Sequence, residues 1–391
     1  MDNILILDGM ERSALAATRS LGKRGYNVFV SDAAPKSLAG ASKYCQRYFQ
    51  LTSPETNPNE FVDELVELIS KYAIDALLPM SDISTATVLN APAVLSAVNL
   101  PCPSFNTYND VTNKSSLFQL AAKNEIPIPH TYFIDHIDEI DTITDQLRYP
   151  IVIKPSQSRV LFENQWIRTH VCYANNTSEL LETLKKHKWL TTFPFMLQEY
   201  ISGQGRGIFA FYNKGHAVTF FSHKRLREKP PSGGVSVLCE STAVDPVMQS
   251  ISKKLLDAVG WHGVAMVEFK VDANGTPYLM EINGRFWGSL QLAIDAGIDF
   301  PYMAYLLAQG REIPSPPSYK VGIKSRWLLG DLDHLYLRLK QSGKTRGAGK
   351  KLGDIYNFLK LYQRNTRYEI NRADDLSPFI FELQRYLKNA G

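Results

Sequence analysis

Over its first hundred residues the chain alternates short apolar, β-rich runs with stretches that carry apolar residues at helical spacing. This alternation restricts the fold most, because strands separated by amphipathic helices build a parallel α/β sheet. Strands are expected near Ile4–Leu7, Val28–Ser31 and Ala76–Pro79, with helices over Arg12–Lys23, stopped at Gly25, and Asn59–Tyr72. The layout is Rossmann-like. Where a dinucleotide-binding loop would carry G-x-G-x-x-G after the first strand, however, the chain reads Asp8-Gly9-Met10-Glu11-Arg12, so neither NAD nor FAD is expected.

The pattern then changes. A helix over Asn113–Asn124 runs into Ile126-Pro127-Ile128-Pro129, whose prolines favour an extended exit, and a strand is expected over Tyr149–Lys154. From Met196 to Glu281 apolar runs around Phe195–Leu197, Ile208–Tyr212 and Ala217–Phe221 predict mainly antiparallel strands, interrupted by a helix over Pro246–Val259. Gly263–Lys270 and Pro277–Ile282 are joined by Asp272-Ala273-Asn274-Gly275, a hairpin signal. Beyond Pro314 the chain is rich in Leu, Tyr and Lys and reads as mostly helical.

At 391 residues, more than one packed unit is expected. Lys and Arg exceed Asp and Glu by 43 to 39, too small a bias to imply nucleic acid. Cys45, Cys102, Cys172 and Cys239 form no C-x-x-C pair, so neither a zinc knuckle nor a redox dithiol is suggested, and a reducing cytoplasm is expected. The amino terminus carries no basic leader pattern, and no apolar stretch reaches the roughly 18 to 20 residues that span a bilayer. A cytoplasmic protein without membrane insertion is expected; its oligomeric state stays open.

Chemistry concentrates after the hairpin. Residues two apart on an extended segment share a face, so Glu281, Asn283 and Arg285 can line one site, with Glu268 alongside from the antiparallel partner. Two carboxylates and an amide oxygen are hard ligands suited to Mg²⁺, or Mn²⁺, at phosphate oxygens, and an arginine beside them can hold a transferred phosphoryl group. The alternative is an ordinary ion pair at a strand end. The apolar flanks Tyr278-Leu279-Met280 and Phe286-Trp287 argue against it, since a half-buried polar triplet needs partners or a metal.

The runs Met266-Val267-Glu268-Phe269-Lys270 and Met280-Glu281-Ile282-Asn283-Gly284-Arg285-Phe286-Trp287-Gly288-Ser289 resemble the metal and catalytic segment of the ATP-grasp superfamily, close to its carboxylate-amine ligase-like branch. The resemblance covers about residues 1 to 315. It implies an ATP-grasp fold of α/β (α+β) class: a Rossmann-like pre-ATP-grasp domain over 1–110, an ATP-grasp domain over 111–315 divided into a lid (111–197) and a catalytic core (198–315), and a helical C-terminal extension over 316–391.

Other residues carry over one at a time. Lys114 and Lys154 match the two ATP lysines, and Gln198-Glu199-Tyr200-Ile201 resembles the hinge that meets adenine. Two departures stand out: Ser156-Gln157-Ser158-Arg159-Val160 replaces a glycine-rich flap, and Gly203-Gln204-Gly205 replaces an acid that binds ribose. Arg225, within His223-Lys224-Arg225-Leu226-Arg227, is the candidate for gripping a substrate carboxylate, against the alternative of a solvated basic strand edge; His223 is a weaker candidate base. The basic segment 338–351 is not expected to be one continuous helix and reads as a solvated connection, against the alternative of a phosphate-rich or lipid-linked substrate site.

The resemblance implies an ATP-consuming ligase that phosphorylates a carboxylate and passes the acyl group to an amine, with small-molecule substrates and Mg²⁺. Two alternatives stand beside it: a bicarbonate-phosphorylating enzyme of carboxylase or carbamoyl-phosphate type, and a nucleotide-binding regulator that keeps the fold.

Overall fold

The structure, a computed structural model, describes residues 2–390 except 158, 163–164, 232, 315–317, 342–346 and 362. Its first sheet is parallel: β1 (Asn3–Ile6), β2 (Asn27–Asp32), β3 (Arg47–Gln50) and β4 (Ala76–Leu78) lie in the order β3-β2-β1-β4. The short, polar edge strand β3 escapes the hydrophobic pattern because it buries little. After β1, Asp8 takes a positive φ of 57°. Its carboxylate accepts the Met80 and Ser81 amides, both at 2.9 Å, and the Ser81 and Ser84 hydroxyls at 3.0 and 2.5 Å. An internal carboxylate thus occupies the anion-favouring N-terminus of the helix Asp82–Leu89.

The second sheet is small and antiparallel. Strands β5 (Thr131–Ile134) and β6 (Ile151–Pro155) are followed by a separate hairpin of β7 (Arg159–Phe162) and β8 (Gln165–Arg168), then by β9 (Cys172–Ala174) and β10 (Phe195–Glu199); the sheet order is β5-β10-β6-β9. Ile151, Ile153, Phe195 and Leu197 pack with Leu180 and Leu184 of the helix Thr177–Lys186. The run Phe195–Leu197 is therefore an interior strand of this sheet.

The third sheet has seven strands: β11 (Gln204–Asn213), β12 (His216–Lys229), β13 (Val235–Thr242), β14 (Gly263–Val271), β15 (Pro277–Asn283), β16 (Lys324–Arg326) and β17 (Thr366–Tyr368), in the order β15-β14-β11-β12-β13-β16-β17. All neighbours are antiparallel except β16 and β17. Alternation along β11 sends Ile208 and Ala210 to one face, against the helices Pro246–Ala258 and Lys114–Lys123, and Phe209 and Phe211 to the other. That second face packs with Trp287, Phe300 and the helix Arg12–Lys23, so the first and third sheets share one core.

Past residue 315 the helices Leu328–Lys340, Ala348–Leu359 and Ser377–Ala390 form as expected, but β16 and β17 extend the large sheet. Three-residue strands give too little alternation to read in sequence. Arg19 ties this end down: Nε meets Asp375 at 2.8 Å, and its terminal nitrogens meet the Glu369 and Ile370 carbonyls at 2.9 and 2.8 Å. Within 338–351 one helix ends at Lys340 and the next begins at Ala348. Lys344 and Arg346 lie outside the described residues, as does Ser158.

Candidate active site

The hairpin of β14 and β15 brings the predicted acids together. Glu268 pairs directly with Glu281, but the next pair is Phe269 with Leu279, so Met280 is an extra residue in β15. This bulge swaps faces: Leu279 enters the core on one side while Glu281 faces the cleft on the other. Without it, strict alternation would place Leu279 and Glu281 on the same side. Asn283 completes the set, its Nδ2 donating to Glu268 at 3.3 Å and Glu281 at 3.4 Å. A half-turn of that amide would present its oxygen to the same gap.

Cations surround the acids. Lys114 Nζ lies 3.0 Å from Glu281 Oε2. Asn113 caps the helix Lys114–Lys123 by accepting the Ser115 and Ser116 amides, which fixes where Lys114 leaves the backbone. The Lys114 amide also donates to Ser156 O at 2.8 Å, joining the helix start to the loop beyond β6. Lys154 projects from β6 until Nζ is 4.0 Å from Met280 Sδ. Burial, with the nearby Lys114 charge, lowers the Lys154 pKa to about 8. Lys114 stays charged despite its burial because Glu281 is beside it. Lys114 in turn drives Glu281 down to about 2, whereas burial raises Glu268.

Both arginines engage this set. Arg285 Nη2 lies 3.1 Å from Asp82 and 3.2 Å from Asn283 Oδ1. Arg225 lies on β12 just past Lys224, the last residue paired with β11, and opposite Cys239 of β13. It reaches over β11, where a Cβ on Gly205 would sit 3.6 Å from its Cδ, and meets Glu268 at 2.6 Å, Glu228 at 3.1 Å and the Gly234 carbonyl at 3.2 Å. A substrate carboxylate would share this guanidinium. The neighbouring bases serve other partners: Lys224 pairs with Glu240 at 3.0 Å and Arg227 with Asp331 at 2.7 Å. Each of these three bases is thus paired with an acid.

His223 is 1% exposed and packs edge-on to Phe209. Its Nδ1 is 3.5 Å from Ser289 Oγ, and no partner among the described residues meets Nε2. Burial, helped by Arg225, lowers its pKa to about 3.

Two cavities, of about 630 and 510 Å³, lie on either side of the ridge formed by Glu281, Asn283 and Arg285. Phe105, Tyr108 and Lys114 help line the larger. Glu11, Arg12, His223, Arg225 and Ser236 line the smaller.

The hinge candidates stand apart from both. Gln198 is buried and donates to Thr131 Oγ1 at 2.9 Å; the Glu199 and Tyr200 amides donate to the His130 and Pro150 carbonyls at 2.9 and 3.3 Å. Lys270, on the same strand as Glu268, reaches Ile201 O at 3.2 Å and lies over the Tyr200 ring. Glu199 otherwise borders a third cavity with Tyr132 and Arg148. The sequence reading missed Asp82, the partner of Arg285, and Arg12 and Glu11 in the smaller cavity. Asp82 precedes the hairpin by about 180 residues and Glu11 and Arg12 by about 250, so no local signal links them to it.

The family described as ATP-grasp in the biosynthetic pathway with Ter operon matches residues 191–330, from the hinge through β16. Over 205 residues, 50% of this chain and 69% of the relative, the sequence is 23% identical to the alpha-aminoadipate–LysW ligase LysX of Sulfurisphaera tokodaii. The solved L-amino acid ligase from Bacillus licheniformis superposes with a TM-score of 0.63 at 16% identity, covering 81% of this chain and 75% of that one. The N5-carboxyaminoimidazole synthetase of Staphylococcus aureus, solved with ADP, superposes at 0.64 and 16% identity, covering 83% and 80%. The ATP-grasp family match thus spans the β14–β15 hairpin, and the chain shares the fold of these solved structures.

Proposed function

We propose that the protein is an ATP-dependent carboxylate-amine ligase that forms an acyl phosphate, releases ADP, and joins the acyl group to an amine with loss of phosphate. The observation that carries this reading is the convergence of Glu268, Glu281 and Asn283 with Lys114, Lys154 and Arg285 on one ridge between two cavities. The donor set fits Mg²⁺ or Mn²⁺: two carboxylates and an amide are hard oxygen ligands, already at hydrogen-bonding distance from one another. Such an ion would supply charge neutralisation at phosphate oxygens.

The protein groups do the remaining work. Lys114, at the start of a helix packed on the large sheet, and Lys154, on the small sheet, hold the phosphates, with Gln198–Ile201, which border neither cavity, at the adenine end. Arg285, oriented by Asp82, stabilises the transferring phosphoryl group. The substrate carboxylate binds near Arg225, attacks the γ-phosphorus, and becomes the acyl phosphate as ADP leaves. The amine then attacks the acyl carbon, loses its proton, and expels inorganic phosphate. His223, neutral and buried, is a hydrogen-bonding group in that cavity. The similar proteins include an alpha-aminoadipate–LysW ligase and an L-amino acid ligase, and this supports a ligase reading without naming the acid or amine here.

A screen of carboxylate and amine pairs for ADP release, with hydroxylamine as a surrogate amine, tests the reading. A hydroxamate formed from one acid, Mg²⁺ and ATP supports it. Turnover dependent on bicarbonate alone, with no other acid, contradicts it.

A further inference from the structure

The outer edge of the small sheet carries a second constellation that phosphate chemistry does not use. His170 precedes β9, Cys172 opens it, and His187 follows the helix Thr177–Lys186. Their side-chain donor atoms all lie within 4.8 Å of one another, the one such group of three His, Cys, Asp or Glu side chains among the described residues. The imidazole rings meet edge to face, 4.5 Å apart, and Trp189 backs His170 at 6.0 Å.

We propose that His170, Cys172 and His187 bind a divalent d-block metal ion, zinc in type, with water completing the shell. Imidazole and thiolate donors select such ions over Mg²⁺, which prefers oxygen. Ligands on one tetrahedral zinc ion, at about 2.0–2.1 Å for nitrogen and about 2.3 Å for sulfur, stand somewhat under 4 Å apart, so small side-chain rotations close the observed spread. Two supports are fixed independently of a metal: Cys172 pairs with Ile153 across β9 and β6, and the His187 amide holds Thr183 O at 3.2 Å. Binding converts the Cys172 thiol to thiolate and releases one proton to solvent.

The location gives the ion a structural consequence. Thr169, next to His170, donates from its hydroxyl to Gln157 O at 2.6 Å, and Gln157 Nε2 holds Asn109 at 2.9 Å. Gln157 follows the Lys154 strand and lines the larger cavity with Lys114. A metal here braces the base of the loop next to the phosphate lysines.

Anaerobic titration of the full chain with Co²⁺, in excess Mg²⁺ to fill the oxygen-ligand site, tests the proposal. One equivalent should produce tetrahedral d–d absorption with a thiolate-to-metal charge-transfer band, and Zn²⁺ should displace it. Cys172→Ser should abolish the charge-transfer band, and His187→Ala should weaken binding by at least about 10-fold. Absence of the thiolate band, its persistence in Cys172→Ser, or unchanged affinity in His187→Ala would each overturn the assignment. Circular dichroism of both variants separates loss of ligand from loss of fold.

Discussion

Lys114 and Glu281 form a 3.0 Å ion pair that joins the start of a core helix to the catalytic hairpin. The pair sets the charge state of the ridge, since Lys114 holds Glu281 near a pKa of 2. By linkage, a carboxylate whose folded pKa is depressed stabilises the fold above its unfolded pKa, and that stability is lost as pH falls through the folded value. Glu281→Gln keeps the side-chain volume but removes the charge. Turnover, measured as ADP release, should fall by roughly 100-fold or more, with the near-ultraviolet dichroism of the fold retained. Wild-type turnover would remove Glu281 from the metal set.

Lys154 should report nucleotide binding through protons. Its pKa is lowered to about 8 from 10.5, so between those values the unfolded chain binds more protons and stability rises with pH. A phosphate chain beside Nζ restores the charged form. Calorimetric titration with Mg·ADP at about pH 9, repeated in buffers of different ionisation enthalpy, should show proton uptake that Lys154→Met lacks. Lys224→Ala, whose lysine pairs with Glu240, should leave the uptake unchanged.

Asp82 acts through Arg285, 3.1 Å away. Asp82→Ala should lower kcat by roughly 10-fold while shifting KM for ATP little, because misorientation of the guanidinium is felt chiefly by the transferring phosphoryl group. Equal changes in kcat and KM would point to a general loss of nucleotide binding.

His223 should make the fold acid-sensitive. With a folded pKa of about 3 against 6.5, the unfolded chain takes up the extra proton, so stability falls as pH drops from about 6.5 towards 3. Denaturant titrations at pH 7 and pH 4.5 should show a smaller loss in His223→Gln than in wild type. An equal loss would mean His223 is charged in the folded protein.

The grouping of the candidate residues is legible in the sequence because strand periodicity is local. Glu281, Asn283 and Arg285 line one side as their two-residue spacing required, and Glu268 faces Glu281 directly. The bulge at Met280 was not legible, since one added residue changes no hydrophobic count. Strands β16 and β17 were hidden by their length, and Asp82 by its separation from Arg285. Arg225 is the candidate for gripping a substrate carboxylate, but its contact with Glu268 joins β12 to β14 across β11 and leaves no local signal in the sequence. The His170, Cys172 and His187 cluster was invisible for a related reason: a sheet edge and a helix end bring it together.

In the proposed reaction a carboxylate oxygen attacks the γ-phosphorus of ATP. Once the screen identifies an acid, that acid can be prepared with ¹⁸O in its carboxylate and turned over with Mg·ATP and amine, and the released phosphate examined by ³¹P NMR. One ¹⁸O should appear in inorganic phosphate, with ADP as the other product. Label appearing in AMP, with pyrophosphate released, would show adenylation and contradict this reaction.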